Sequence, residues 1–401
     1  MFIRGHQLHP NRPTWGAANL RDLRQPTRPR TSRVPGGLRS WPVALASAAI
    51  AGMLAVPAAA ATASWQVIPG PAVPSGELLA VAGLGSADVW AVGDHFTTAQ
   101  GYKTLTEHWT GTAWAVVPSP GAGNWNMLRA VAPVTANDVW AVGFTKSYAT
   151  LVLHWDGQAW AEVSSPAFGT DRPLYGVAAF AANDVWAVGS AGSATFMVHF
   201  DGTSWRQVAA PSPGSPAALY KVAGSGPNDV WAVGDGYGAT DATVMLHWNG
   251  SRWAQVPAPH PGSSDYIRGL AVRSASDAWF AGEWDGPGPS YTPHPFIGRW
   301  NGTAWTQVSS PAGETLYGVA AGSASDGWVV GNSGSPSTTF ASMIEHWDGT
   351  TWSVSPSPVT GPRESELNGI AVLPGGTFWA VGAQQQPNGI FTPLTLRHAP
   401  G

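Results

Sequence analysis

A chain of 401 residues without cysteine excludes disulfides, thiol catalysis and cysteine metal sites together. Its formal net charge is −4, and residues 1–63 hold eight arginines against one acid, so residues 64–401 stand at −11 (−4 less +7). An acidic body with three lysines is poorly matched to phosphate backbones, and nucleic acid is not an expected partner.

The first segment differs from the rest. After its arginines come an apolar stretch at 43–56, Pro57, and a run of small residues with Ala-x-Ala sites at 59–61 and 61–63. Basic region, apolar core and small-residue cleavage site predict a secretory signal over 1–63. The alternative is an uncleaved anchor helix, since 41–61 is apolar for about the length of a membrane span. Either reading places 64–401 outside the cytoplasm.

From Ser64 onward one unit repeats. It reads Leu-x-x-Val-Ala, then Asp-Val-Trp-Ala-Val-Gly, then Leu-x-x-His-Trp-Asp-Gly-Thr, then Trp-x-x-Val-Pro. The central tryptophans are Trp90, Trp140, Trp186, Trp231, Trp279, Trp328 and Trp379, at spacings of 50, 46, 45, 48, 49 and 51 residues. Each unit holds four short runs rich in Val, Ile, Trp and Phe, and Asp-Gly or Asn-Gly pairs such as Asp156-Gly157 and Asn249-Gly250 mark hairpins between the third and fourth. Four antiparallel strands at this period predict propeller blades. The last clause of the unit follows only six of the central tryptophans, and the missing copy, Ser64-Trp65-Gln66-Val67, precedes the first unit. The expected fold is therefore all-β: a seven-bladed β-propeller over 64–401, monomeric, with the N-terminal strand completing the last blade.

Two polar positions recur with the blades. One is an Asp two places before the central Trp (Asp88, Asp138, Asp184, Asp229, Asp277, Asp326); the other is His108, His154, His199, His247 and His346, with Arg299 and Arg397 in the remaining blades. The first recurs in six blades, with Thr377 in the seventh, and the second in all seven, which speaks for architecture. The expectation is that each Asp caps the turn before the second strand and each His or Arg bonds within its blade. Nineteen of the tryptophans also fall in repeat positions, as plates between blades.

The order Trp-x-x-Val, Leu-x-x-Val, Asp-Val-Trp-Ala-Val-Gly and an Asp-Gly turn resembles tectonin-type propeller repeats, and is similar also to the Trp-rich, sialidase-like propellers of secreted bacterial proteins and photosystem assembly factors. The tectonin likeness implies lectin activity toward surface sugars. These repeats are longer and number seven, where tectonin rings typically have six.

Strand order puts the second-to-third loops and the blade-to-blade connections on one face, and these vary from repeat to repeat. Variable loops on a rigid scaffold are where function is expected. Trp125, between Asn124 and Asn126, and Trp284, between Glu283 and Asp285 in a long blade-five loop that continues to Tyr291 and His294, are the tryptophans outside repeat positions in 64–401. Flat rings beside carboxylates and amides suit sugars, or pack loops. A second set, Leu79, Arg129, Tyr175, Tyr220, Arg268, Tyr317 and Asn368, begins the innermost strands and should ring the channel mouth, binding a polar or anionic ligand or plugging the opening.

No metalloprotease, nucleophile-elbow or phosphate-loop motif occurs. Asp171, Asp265, Glu283, Asp285, Glu364 and Glu366 are scattered acids on the variable face, with no spacing that selects a glycosidase pair. The reading is a secreted, non-catalytic propeller binding carbohydrate, without cofactor or metal. An extracellular protein-interaction scaffold is the alternative, and a glycoside hydrolase or lyase the third choice.

Overall fold

Blade 4 shows why each repeat folds as it does. Alternating apolar residues build strands Ala217–Gly226, Asp229–Gly236, Thr243–Trp248 and Trp253–Gln255, hydrogen-bonded in that order. Between the last two, Gly250 takes φ +89°, and the Asn249 Oδ1 accepts the backbone N–H of Ser251 and of Arg252, both at 3.1 Å. The Asn-Gly pair thus closes the hairpin from both backbone and side chain. The computed structural model describes residues 64–121, 123–163, 168–211, 213, 216–236, 243–262, 264–286, 293–311, 315–334, 339–359 and 363–400. The expected leader at 1–63 and Tyr291 lie outside these residues.

Seven such four-stranded sheets are present, which is the expected seven-bladed propeller. Its closure is the expected one too. Strand Gln66–Val67 forms the outer edge of blade 7, with Gln66 opposite Arg397 and Val67 opposite Leu396. Ile68 N–H then donates to the Thr395 carbonyl at 2.9 Å and the Thr395 hydroxyl to the Ile68 carbonyl at 2.6 Å.

Tryptophans hold the blades to one another. Each central Trp meets the outer-strand Trp of the next blade edge to face, from Trp90 on Trp160 through Trp328 on Trp65 to Trp379 on Trp114, at centroid separations of 5.1–5.5 Å and interplanar angles of 79–90°. This geometry sets a ring's positive edge on its neighbour's negative face. The outer-strand indole N–H groups have no hydrogen-bond acceptor among the described residues.

The repeated Asp does something other than cap a turn. In five blades its Oδ1 accepts the Nε2–H of the blade's own His at 2.7–3.1 Å, tying the start of the second strand to the end of the third. That His lies against the central Trp, as His247 does on Trp231 at 4.3 Å. Arg299 replaces it in blade 5, 3.5 Å from Asp277 and over the Trp279 ring. In blade 7 Thr377 replaces the Asp, and Arg397 keeps only the ring contact, on Trp379. Among the described residues, no helix is long and apolar enough to cross a membrane.

Candidate functional site at the channel mouth

The glycine that ends each Ala-Val-Gly run positions the site. A Cβ on Gly93, Gly143, Gly189, Gly234, Gly282, Gly331 or Gly382 would sit 1.8–2.0 Å from a carbonyl oxygen of the adjacent innermost strand. Only glycine admits that approach, and the approach accompanies a bulge. In all seven blades the pairing skips one residue there, for example between Leu219 and Lys221. The skipped residues are Leu79, Arg129, Tyr175, Tyr220, Arg268, Tyr317 and Asn368, the set expected to ring the channel. A bulge re-aims a side chain out of the ladder, and here it does so seven times at one level.

The ring is unequal around its circumference. On the side of blades 2 to 4 it is aromatic: Tyr175 and Tyr220 lie 5.4 Å apart, Phe144 packs on Tyr175, and the Arg129 guanidinium lies 5.3 Å from the Phe144 ring. On the side of blades 5 to 7 it is a polar network. Arg268 donates to Glu283 at 3.0 Å, the other Glu283 oxygen accepts the Thr315 hydroxyl, and the Asn368 amide donates to the Leu78 carbonyl at 3.2 Å. Burial opposes the charge of Arg268, yet Glu283, Tyr317 and Asp235 hold it above its ordinary value. Burial raises the Tyr317 phenol well above its usual range and pushes the Glu366 carboxyl up to about 7.

One further residue belongs here and is absent from the sequence-based set. The position after each bulge is Ala80, Ala130, Gly176, Gly269, Gly318 or Gly369 in six blades, where inner strands crowd together, but Lys221 in blade 4. Burial lowers its amine to about 8, and Arg129 from blade 2 and Arg268 from blade 5 push the same way. A Cβ on Gly176 of blade 3 would stand 3.0 Å from the Lys221 Cα and from the Tyr220 carbonyl oxygen, so the inner strands of blades 3 and 4 come close together at this level. Aligning the repeats would have exposed this substitution. Among the described residues, neither Lys221 nor Arg129 has a carboxylate partner, and the Arg129 Nε lacks an acceptor. Only Arg268 of the three cations is paired.

The rim residues separate in their placement. Trp125 is exposed and packs on Tyr102 at 4.8 Å, which in turn packs on Phe96 at 4.9 Å. Asn124 is exposed, and its carbonyl accepts the Tyr102 N–H. Asn126 instead opens the innermost strand of blade 2, fully buried, with neither amide atom hydrogen-bonded. Glu283, Trp284 and Asp285 lie not in a loop but on the second strand of blade 5, Asp277–Asp285, because it pairs onward with Ser264–Ser274 and Pro293–Trp300. Trp284 stacks on His294 at 4.3 Å, which covers one of its faces.

The scattered acids converge only in part. Glu283 and Glu366 both act on Tyr317, and Glu364 acts on Glu366. Asp265 is fully buried elsewhere, bonded to His260, Thr243 and the Gly262 N–H. Asp171 stands exposed in a left-handed conformation with φ +61°. No cluster of three potential metal ligands occurs among the described residues.

No protein-family model matches this chain, and no curated protein does. Solved structures do. YCF48 from Cyanidioschyzon merolae superposes with a TM-score of 0.56 at 15% identity, over 84% of this chain and 99% of that one. YCF48 bound to a D1 peptide gives 0.56 at 14%, over 84% and 97%. A GH74 xyloglucanase from Xanthomonas campestris gives 0.53 at 13%, over 82% of this chain and 55% of its own. At such identities the likeness is one of fold. These neighbours bear out the propeller, and no family model supports the tectonin-type assignment within it.

Proposed function

We propose that this chain is a secreted, non-catalytic binding propeller that takes carbohydrate on the variable face of blades 1 and 2. The observation that carries the reading is the exposed aromatic run there. Phe96, Trp125 and Tyr148 account for three of the six large hydrophobic side chains exposed among the described residues. Phe96 and Trp125 flank Tyr102, and Tyr148 stacks on Phe144, so these exposed rings offer stacking surface to the C–H faces of sugars. The tectonin-like repeat order supports the same class of ligand, and the leader supports secretion.

A protein partner is the second reading, favoured by the solved YCF48 structure that holds a D1 peptide. Hydrolysis has weaker support. Glu283, the acid paired with Arg268 of the bulge set, has both oxygens engaged, by Arg268 and Thr315. The test is binding of the full chain to a broad glycan array, with Trp125→Ala and Tyr148→Ala alongside. Sugar binding lost in either variant at unchanged melting temperature supports the proposal. A blank array with folded protein, or release of reducing ends from a bound glycan, sinks it.

A further inference from the structure

We infer that the channel mouth receives the carboxylate of an acidic oligosaccharide, with Lys221 and Arg129 as the groups that bind it. This rests on the carbohydrate reading and names the sugar class.

The argument starts from cost. A cation moved out of water is expensive unless a counter-charge or several hydrogen bonds compensate it. Arg268 meets that requirement through Glu283 at 3.0 Å. Lys221 and Arg129, both half-buried, have no such carboxylate among the described residues, although carboxylates outnumber cations in 64–401. Six blades show that alanine or glycine satisfies the fold at the Lys221 position. The lysine is therefore not required by the architecture, and a channel plugged for stability alone has no use for unpaired positive charge.

Geometry connects this charge to the rim. From Trp125 the contacts pass through Tyr102 into a cluster of Met127, Phe144 and Tyr175, against which Tyr220 also packs. Arg129 lies over Phe144 in that cluster, and Lys221 follows Tyr220 in the chain. Aromatic surface outside and unpaired cations at its inner end match an oligosaccharide that stacks on the rim and presents a uronate carboxylate inward. A neutral sugar would leave both cations uncompensated.

The experiment is titration calorimetry of the full chain with oligogalacturonate, oligomannuronate and hyaluronan oligosaccharides, each paired with the same sugar after reduction of its carboxyls to alcohols. Lys221→Ala, which installs the residue of blades 1 and 2, and Arg129→Leu, which installs that of blade 1, are run in parallel. The expected result is at least tenfold tighter binding of one acidic sugar than of its reduced form, with that preference lost in Lys221→Ala and a melting temperature no lower than that of the parent chain. Equal binding of acidic and reduced forms, or a preference intact in both variants, overturns this inference and leaves the carbohydrate reading standing. Binding of acidic peptides with no sugar bound overturns both.

Discussion

At one end of each blade an Asp at the start of the second strand meets a His at the end of the third, and where one partner changes the other contact, with the central Trp, is kept. At the other end seven bulges repeat the same backbone irregularity, and among them they display four residue types: leucine, arginine, tyrosine and asparagine. The backbone is equally regular at both ends, so the variation at the bulges is not relaxed structure. It is fixed geometry carrying free chemistry. Substitutions at the two ends should therefore separate stability from binding.

The strongest break in that comparison is Trp65→Ala. Trp65 is buried in the closure of blade 7 and packs edge to face on Trp328 of blade 6. Removing a buried Trp costs about 3–5 kcal/mol, and here the loss falls on the joint between the chain's two ends. Trp125→Ala, at an exposed rim position, should cost within about 0.5 kcal/mol. Thermal unfolding of the two variants measures this directly: a large drop in melting temperature for the first and none for the second. Equal drops would mean that Trp125 is structural.

The repeat made the blade count and the closing strand legible in the sequence, because each depends on period and order alone. The chemistry of the mouth was less legible. Trp284 reads as a loop residue because Gly286 and the prolines beyond it suggest a break, yet cross-strand pairing with His294 and Asp265 extends the strand past it. Lys221 escapes notice because its importance lies in what six other blades have in its place. The pairing of Arg268 with Glu283, and the lack of any such partner for Arg129, arises between strands that only the fold brings together. The repeated His was expected to bond within its blade, and does; that its partner is the repeated Asp, expected only to cap a turn, depends on which way the carboxylate turns.

A smaller effect sharpens the comparison in mid-blade, where the third strand carries Leu153, Val198, Leu246, Gly298 or Leu396 in five blades but Glu107 in blade 1 and Glu345 in blade 6. Both acids are fully buried. Burial pushes Glu107 from its ordinary 4.5 up to about 7. The native state therefore holds its proton where the unfolded chain has released it, and stability falls as pH rises from about 4.5 to 7, by on the order of 2–3 kcal/mol. Below 4.5 the penalty is absent, and above 7 it is constant. Glu366 adds a loss of the same sign in the same window. Asp201 and Asp348, held low by bonds to Thr203 and Thr350, titrate beneath it. Melting temperature should fall between pH 5 and pH 7.5, and fall less in Glu107→Gln. A melting temperature that rises over that range contradicts the account.

A serine beside one of the two acids is a glycine beside the other. The Ser310 hydroxyl donates to Glu345, at 2.8 Å from one oxygen and 3.0 Å from the other. Ser310 lies five residues after Trp305, and the residue five after Trp65 is Gly70. A Cβ on Gly70 would stand 3.5 Å from the Glu107 Oε2, in ordinary contact, and neither Glu107 oxygen has a hydrogen-bond partner. Gly70→Ser should therefore supply in blade 1 the donor that blade 6 already has. A hydrogen bond to a buried carboxyl is worth about 1 kcal/mol or somewhat more when the carboxyl is ionised. The gain should be larger at pH 8 than at pH 5, since the serine stabilises the charged form more. Combined with Glu107→Gln, the pH dependence of that gain should vanish, because the amide does not titrate. A Gly70→Ser variant that gains equally at both pH values would place the effect in the backbone of residue 70 and not in the carboxylate.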